Sequence, residues 1–289
     1  MSSSVSISIA TNTAIAAAKG FGWMVTASPT LFAETIHSLA DVANQVLLKV
    51  GELRGRGGPD TTHPFGRGQE KFFWALVSAV SVFFIGCGVN IYHGLHALLS
   101  RQPVEPFTPL VLGLLLFALA LESFTFAVAL REMGGWKGIA RNRTNTTVLA
   151  VLLEDSVALV GILLTMLVAG VSYISGPRPE FDAAVAITVG VMLGVMALFL
   201  AALNRKFLID ASDPEIDALV GRFLEGQGVR AEVNSIVVDS GHAVVLVRVR
   251  GETAPAAAAL DMRALGDQLK SSTIAGGAKV IDEVYWRSR

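Results

Sequence analysis

The stretch VLAVLLEDSVALVGILLTML, residues 148–167, sets Glu154 and Asp155 side by side inside an otherwise apolar run. About 20 mostly apolar residues cross a bilayer as a helix. An ionisable group at membrane depth costs at least ~2.5–3.5 kcal/mol, so acids persist there when they line a polar path or hold a charge. A second stretch, PTLFAETIHSLADVANQVLL, residues 29–48, carries His37 and Asp41. Their i, i+4 spacing puts both on one helical face, which Glu34 begins and Asn44, Gln45 and Leu48 continue. Histidine with carboxylates is a ligand set for a divalent transition metal. Together the two stretches read as a membrane protein built to carry such an ion.

Working outward, six stretches approach spanning length: 5–28, 30–50, 72–99, 107–130, 146–174 and 181–203. The first two are interrupted by Asn12, Lys19, Glu34, His37 and Asp41, which predicts helices shielded from lipid by the other four. The composition agrees. Of the 289 residues 52% are hydrophobic and 16% charged, with mean hydropathy +0.56, whereas a soluble domain carries about 25% charged residues. The N-terminus has no positive start before its apolar run, so it fits neither a cleaved signal nor a transit peptide and reads as the start of the first span. A net charge of −1 gives nucleic acid no footprint. The single Cys87 excludes an intrachain disulfide framework and a thiol-rich metal site.

Lysine and arginine gather on one side of the membrane. The second-to-third connection holds Arg54, Arg56, Arg67 and Lys71, the fourth-to-fifth holds Arg131, Lys137, Arg141 and Arg143, and the exit from the sixth holds Arg205 and Lys206. The opposite side offers Arg101 and Arg178. Both termini are therefore expected on the cytoplasmic side, or the matrix side in an organelle, with the plasma (inner) membrane the expected location.

After Asp210 the pattern changes. Asp213, Pro214 and Glu215 read as a helix start, with an end near Gly226 or Gly228. Residues 235–239 and 244–250 read as strands, 255–270 as a second helix and 279–287 as a third strand. The order αββαβ predicts helices on one face of a small sheet. The expectation is a six-helix transmembrane transport domain, 1–208, followed by a cytoplasmic α+β domain, 209–289, whose small core favours dimerisation.

Further acids and histidines have competing readings. Glu154 shares its face with Thr147, Ala150, Ala158 and Gly161, a small-residue face suited to close helix contact. Asp155 shares its face with Val148, Val151 and Ile162. Periodicity thus places Glu154 deeper in the bundle. Glu122, in LFALALESFTFAVAL (116–130), is either a ligand or proton-exchanging group or a hydrogen-bonded buried carboxyl. Asp60 and His63 lie in a turn-rich loop and read more simply as solvated. His93 and His96 sit near the end of the third span, Asp182 reads as a helix cap, and His242 stands alone in the tail.

With HSLADVANQ (37–45), THPFGRGQE (62–70) and LLEDSVALVG (152–161) in this order, the chain resembles the cation diffusion facilitator family of zinc and manganese transporters, over nearly its whole length. It is most similar to the branch containing the mitochondrial zinc exporter, which pairs a His-x-x-x-Asp second span with Leu-Leu-Glu-Asp in the fifth and a glutamate in the fourth. The resemblance implies a homodimeric membrane transporter, not an enzyme, that exports a divalent cation by alternating access in exchange for protons. Zn²⁺ is the expected cargo, with Mn²⁺, Fe²⁺ and Co²⁺ as alternatives, and no prosthetic group is implied. The family's tetrahedral site takes two ligands four apart on the second span and two four apart on the fifth. Here these map to His37 and Asp41, then to Asp155 with Val151 in the remaining place. Glu122 or Glu154 is expected to supply the missing oxygen. The family's loop site uses Asp, His and His, but Arg67 holds the third position here, and its fixed charge disfavours a neighbouring cation. Metal sensing by the tail is in doubt, since His242 is its one histidine. The rival readings are a non-transporting membrane metal sensor or scaffold, and an embedded metalloenzyme, for which no H-E-x-x-H motif is present.

Overall fold

The computed structural model describes residues 3–26, 29–58, 60–100, 108–176, 179–239, 241–249, 262–271 and 280–287. The chain divides into two compact units, one formed by Met1–Leu53 with Phe73–Asn204 and the other by Arg54–Phe72 with Arg205–Arg289.

The first unit is helical. It contains α1 (Ser3–Thr26), α2 (Pro29–Arg54), most of α3 (Glu70–Ser81), α4 (Gly88–Ser100), α5 (Pro109–Glu132), the short α6 (Gly135–Arg141), α7 (Thr146–Ser175) and most of α8 (Pro179–Leu208). Among the described residues, four spans are long and apolar enough to cross a membrane: Glu70–Leu99, Pro109–Glu132, Thr146–Ser175 and Glu180–Leu208. The helices α1 and α2 match them in length but break their apolar runs with polar residues. Local chemistry sets the ends. Thr108 Oγ1 accepts from Val111 N at 3.3 Å with Pro109 in the first turn, and Asn145 Oδ1 accepts from Val148 N at 3.4 Å. Asp182 lies within the first turn of α8 rather than at its cap, where a carboxylate still complements the helix dipole.

In the core of this unit α5 packs against α1 and α7. Leu48, Ala75, Ala79, Ala129, Met133, Val148 and Val151 are buried together. Large apolar side chains point outward along the spans, Phe84 at 70% exposure and Leu167 at 63%. A contiguous apolar exterior of this kind suits contact with lipid. The third span is not a uniform α-helix. Between α3 and α4, Val82–Cys87 forms a π-helical stretch, and Asn90 Nδ2 donates to Gly86 O at 2.7 Å, satisfying a carbonyl in the altered ladder. Downstream, α4 and α8 approach through glycine. A Cβ on Gly94 would lie 2.6 Å from Ile187 Cγ1 and 2.9 Å from Ala183 O, and one on Gly190 would lie 2.9 Å from Ile91 Cγ1.

The second unit holds α9 (Pro214–Gly226), β1 (Ala231–Asp239), β2 (His242–Val249), α10 (Met262–Ser271) and β3 (Val280–Arg287). Asp213 Oδ1 accepts from Glu215 N at 3.0 Å and caps α9. The sheet order is β1-β2-β3, with β1 antiparallel and β3 parallel to β2. Ile216, Val220 and Leu224, spaced four apart on α9, pack with Val245, Val247, Leu269 and Ile281. The expected second helix began at 255, but 250–261 lie outside the described residues. The loop 54–72 belongs to this unit. Lys71 Nζ donates to both carboxylate oxygens of Asp239 at 2.6 and 2.7 Å, and the rings of Phe72 and Phe207 lie 5.0 Å apart.

Candidate metal centre

Three helices of the first unit bring acids together. Asp41, on α2, is half-buried. One turn further on α2, Asn44 is 6% exposed and Gln45 0%. Glu122, on α5, is 9% exposed, with Thr125 one turn on. On α7, Asp155 is 1% and Glu154 7% exposed. Periodicity ranked Glu154 as the deeper of the two, whereas the structure buries both. With neighbours on several sides, the first turns of α7 have no solvent face, and residues 146–152 are buried throughout. His37 lies on α2, but its side chain and that of Glu34 fall outside the described residues.

The acids interact with one another. Asp41 repels Glu122, Glu154 and Asp155 electrostatically, and Asp155 engages Glu122 and Thr125. The ammonium of Lys19, on α1, attracts Glu122. Glu154 Oε1 accepts from Asn44 Nδ2 at 3.1 Å, and Asn44 Oδ1 accepts from Ser78 Oγ at 2.6 Å. Glu154 Oε2 and Asp155 Oδ2 are buried without a hydrogen-bond partner. Among the described residues, no three His, Cys, Asp or Glu side chains converge tightly enough to hold a metal ion. The arrangement is an electrostatically coupled cluster rather than a closed shell. Several like charges in low dielectric call for a cation or for protons between them. Val151, at the position where a fourth ligand is expected, is fully buried and apolar.

The other candidates lie elsewhere. Asp60 Oδ1 accepts from Thr62 N at 2.8 Å, Thr62 Oγ1 at 2.7 Å and His63 N at 2.6 Å, and Asp60 Oδ2 pairs with Arg67 Nη2 at 3.1 Å. The hydroxyl of Thr62, then the backbone N–H of His63, holds the Asp60 carboxyl well below the usual carboxylate range. Arg67 thus sits against Asp60, the acid of the candidate loop site. His93 and His96 are exposed on α4, and His242 pairs with Asp282 at 2.8 Å in the other unit. Sequence reasoning did not place Ser78 or Thr125 at the cluster. Ser78 was legible as an isolated hydroxyl in the apolar run WALVSAV, residues 74–80.

A bundle of long apolar helices in which acids from α5 and α7 meet one from the more polar α2 is the architecture of a polytopic ion-handling protein. The cation efflux transmembrane domain matches residues 5–209, and the chain belongs to that family, near the branch of the mitochondrial zinc exporter. It is 32% identical to the human (Homo sapiens) proton-coupled zinc antiporter SLC30A9, mitochondrial, over 203 residues, 67% of this chain and 35% of that protein. It is 32% identical to metal tolerance protein C4 of Arabidopsis thaliana over 218 residues, 72% of this chain and 47% of that protein. It is also 30% identical to the magnetosome protein MamM of Paramagnetospirillum magneticum over 97 residues, 33% of this chain and 30% of that protein. The chain therefore spans between about a third and a half of the first two relatives' length. Family and apolar helices make it a multi-pass membrane protein. The plasma-membrane expectation finds no support here, since the human relative is named as mitochondrial.

Proposed function

We propose that this protein is a proton-coupled exporter of a divalent metal cation, Zn²⁺ foremost, working by alternating access. The observation that carries the reading is the cluster of Asp41, Glu122, Glu154 and Asp155, with two buried carboxylate oxygens that lack partners inside an apolar bundle. The family and the antiporter named among the relatives support it. His37, Asp41 and Asp155 would hold the ion as substrate, with an oxygen from Glu122 or Glu154 in place of Val151. Neutral imidazole and ionised carboxylates suit Zn²⁺ but also Mn²⁺, Fe²⁺ and Co²⁺. Ligands must be deprotonated to bind, so an arriving metal expels protons and arriving protons expel metal, which couples the two gradients. Residues 1–208, with six spans, would form the transport domain, and 209–289, an αββαβ tail, the dimerisation domain of a homodimer. Both termini would face the compartment from which metal is taken.

Reconstituted liposomes test this. The wild type should move Zn²⁺ against a proton gradient, and Asp41→Asn or Asp155→Asn should abolish the flux. Variants that transport like the wild type would refute the assigned site. A second reading, a non-transporting metal sensor with the same fold, draws on the apolar Val151 at the missing ligand position. Zn²⁺ bound without any flux would favour it.

A further inference from the structure

Glu154 ends a hydrogen-bonded chain that crosses three helices. Ser78 Oγ on α3 donates to Asn44 Oδ1 on α2, and Asn44 Nδ2 donates to Glu154 Oε1 on α7, at 2.6 and 3.1 Å. All three residues are buried, at 2%, 6% and 7% exposure. The chain has one polarity. An ionised carboxylate only accepts, so the Asn44 amide must turn its NH₂ toward Glu154 and its oxygen away. That oxygen then needs a donor, and the Ser78 hydroxyl provides it. Ser78 therefore fixes which way Asn44 faces, and Asn44 fixes which oxygen of Glu154 is taken. Oε2 remains buried and without a partner, as does Oδ2 of the adjacent Asp155. Neighbouring residues on a helix point about 100° apart, so both acids can serve one ion only if the longer side chain is steered.

We propose that Asn44, locked by Ser78, is a positioning residue that pins Oε1 of Glu154 and thereby presents Oε2, beside Asp155, to the divalent cation. Glu154 then supplies the oxygen that Val151 lacks. The inference rests on reading the acid cluster as an ion site. Groups that orient a metal ligand typically change metal affinity by about 10–100-fold when removed.

The test is Zn²⁺ titration calorimetry on the full chain in detergent, with liposome flux measured in parallel. Asn44→Ala and Ser78→Ala should each weaken binding by about 10–100-fold. Each should raise the half-saturating Zn²⁺ concentration for flux while the maximal rate stays near wild type. Ser78→Thr, which keeps the hydroxyl, should restore affinity. A purely structural role would lower yield and thermal stability without moving half-saturation. If Asn44→Ala does not fold, the Ser78→Ala and Ser78→Thr pair decides. Asp155→Asn is the control for the site: should it bind Zn²⁺ like wild type, the ion-site reading and this inference fall together. If it loses binding while Asn44→Ala and Ser78→Ala titrate like wild type, the positioning role alone is overturned. A Ser78→Thr protein as weak as Ser78→Ala overturns it too.

Discussion

Breaking the ion pair between Lys71 and Asp239 should loosen the loop 54–72 and the first strand together. The ammonium reaches both carboxylate oxygens, at 2.6 and 2.7 Å, and the two side chains are 20% and 18% exposed. Exposed ion pairs contribute only ~0.2–1 kcal/mol. A charge-assisted hydrogen bond out of full solvent contributes more, about 1.5–3 kcal/mol. The surroundings hold the geometry: a Cβ on Gly68 would run into the Val238 carbonyl oxygen, so the loop lies directly on β1. The assay is a double-mutant cycle of Lys71→Met, Asp239→Asn and the double variant, read by hydrogen exchange at the β1 and β2 amides of the full chain. At about 1.4 kcal/mol per tenfold, the coupling means that the double variant should exchange roughly 10- to 150-fold more slowly than the product of the two single-variant accelerations, because the pair can be lost only once. Raising the salt to 1 M should leave most of it, because a partly buried pair is weakly screened. A coupling within error of zero, or one that salt abolishes, would refute the placement of this loop.

Other outcomes follow from packing and charge. Leu224→Ala, at a fully buried α9 position, should cost about 2–5 kcal/mol, seen as a lower melting temperature for the tail unit. Gly94→Ala should destabilise the bundle by about 1–3 kcal/mol, because the new methyl meets Ile187 and the Ala183 carbonyl. Unchanged thermal unfolding in nanodiscs would contradict that close approach. Asp60 has its carboxyl pKa lowered in the folded loop, so its stabilising contribution is present above the ordinary Asp value near ~3.9 and is lost as pH falls through the lowered folded value. Carboxyl resonances followed by NMR should show Asp60 still ionised at pH 4, and an ordinary midpoint would count against its contacts with Thr62 and His63.

Local chemistry was the legible part. Asp213 and Pro214 announce the start of α9, and the structure caps the helix there. The apolar runs announce the four long spans to within a few residues, because hydrophobic length depends on the segment alone. Strand β1 begins at Ala231, four residues before the expected 235; Ala231 and Val233 pack on the core while Glu232 and Asn234 alternate with them, so the period-2 pattern of a strand already runs through these four residues. The acids were visible as acids, but which of them touch was not. The contact of Ser78 with Asn44 spans 34 positions and that of Asn44 with Glu154 spans 110, separations that helical periodicity cannot reach. For the same reason the loop 54–72 read as a connection between spans, whereas it packs with the tail.

The π-helical turn at Val82–Cys87 has a lasting consequence for how this span can change. A wider turn carries one surplus residue, so the segment beyond it is offset by about 100° from where a uniform α-helix would aim it. That offset lets Ala75 and Ala79 look into one set of neighbours while Gly94 looks onto Ile187. Length in this span is therefore quantised: losing a single residue here would straighten the ladder yet swivel one half out of register with its partners. Related chains should vary the side chains of this segment far more freely than its residue count.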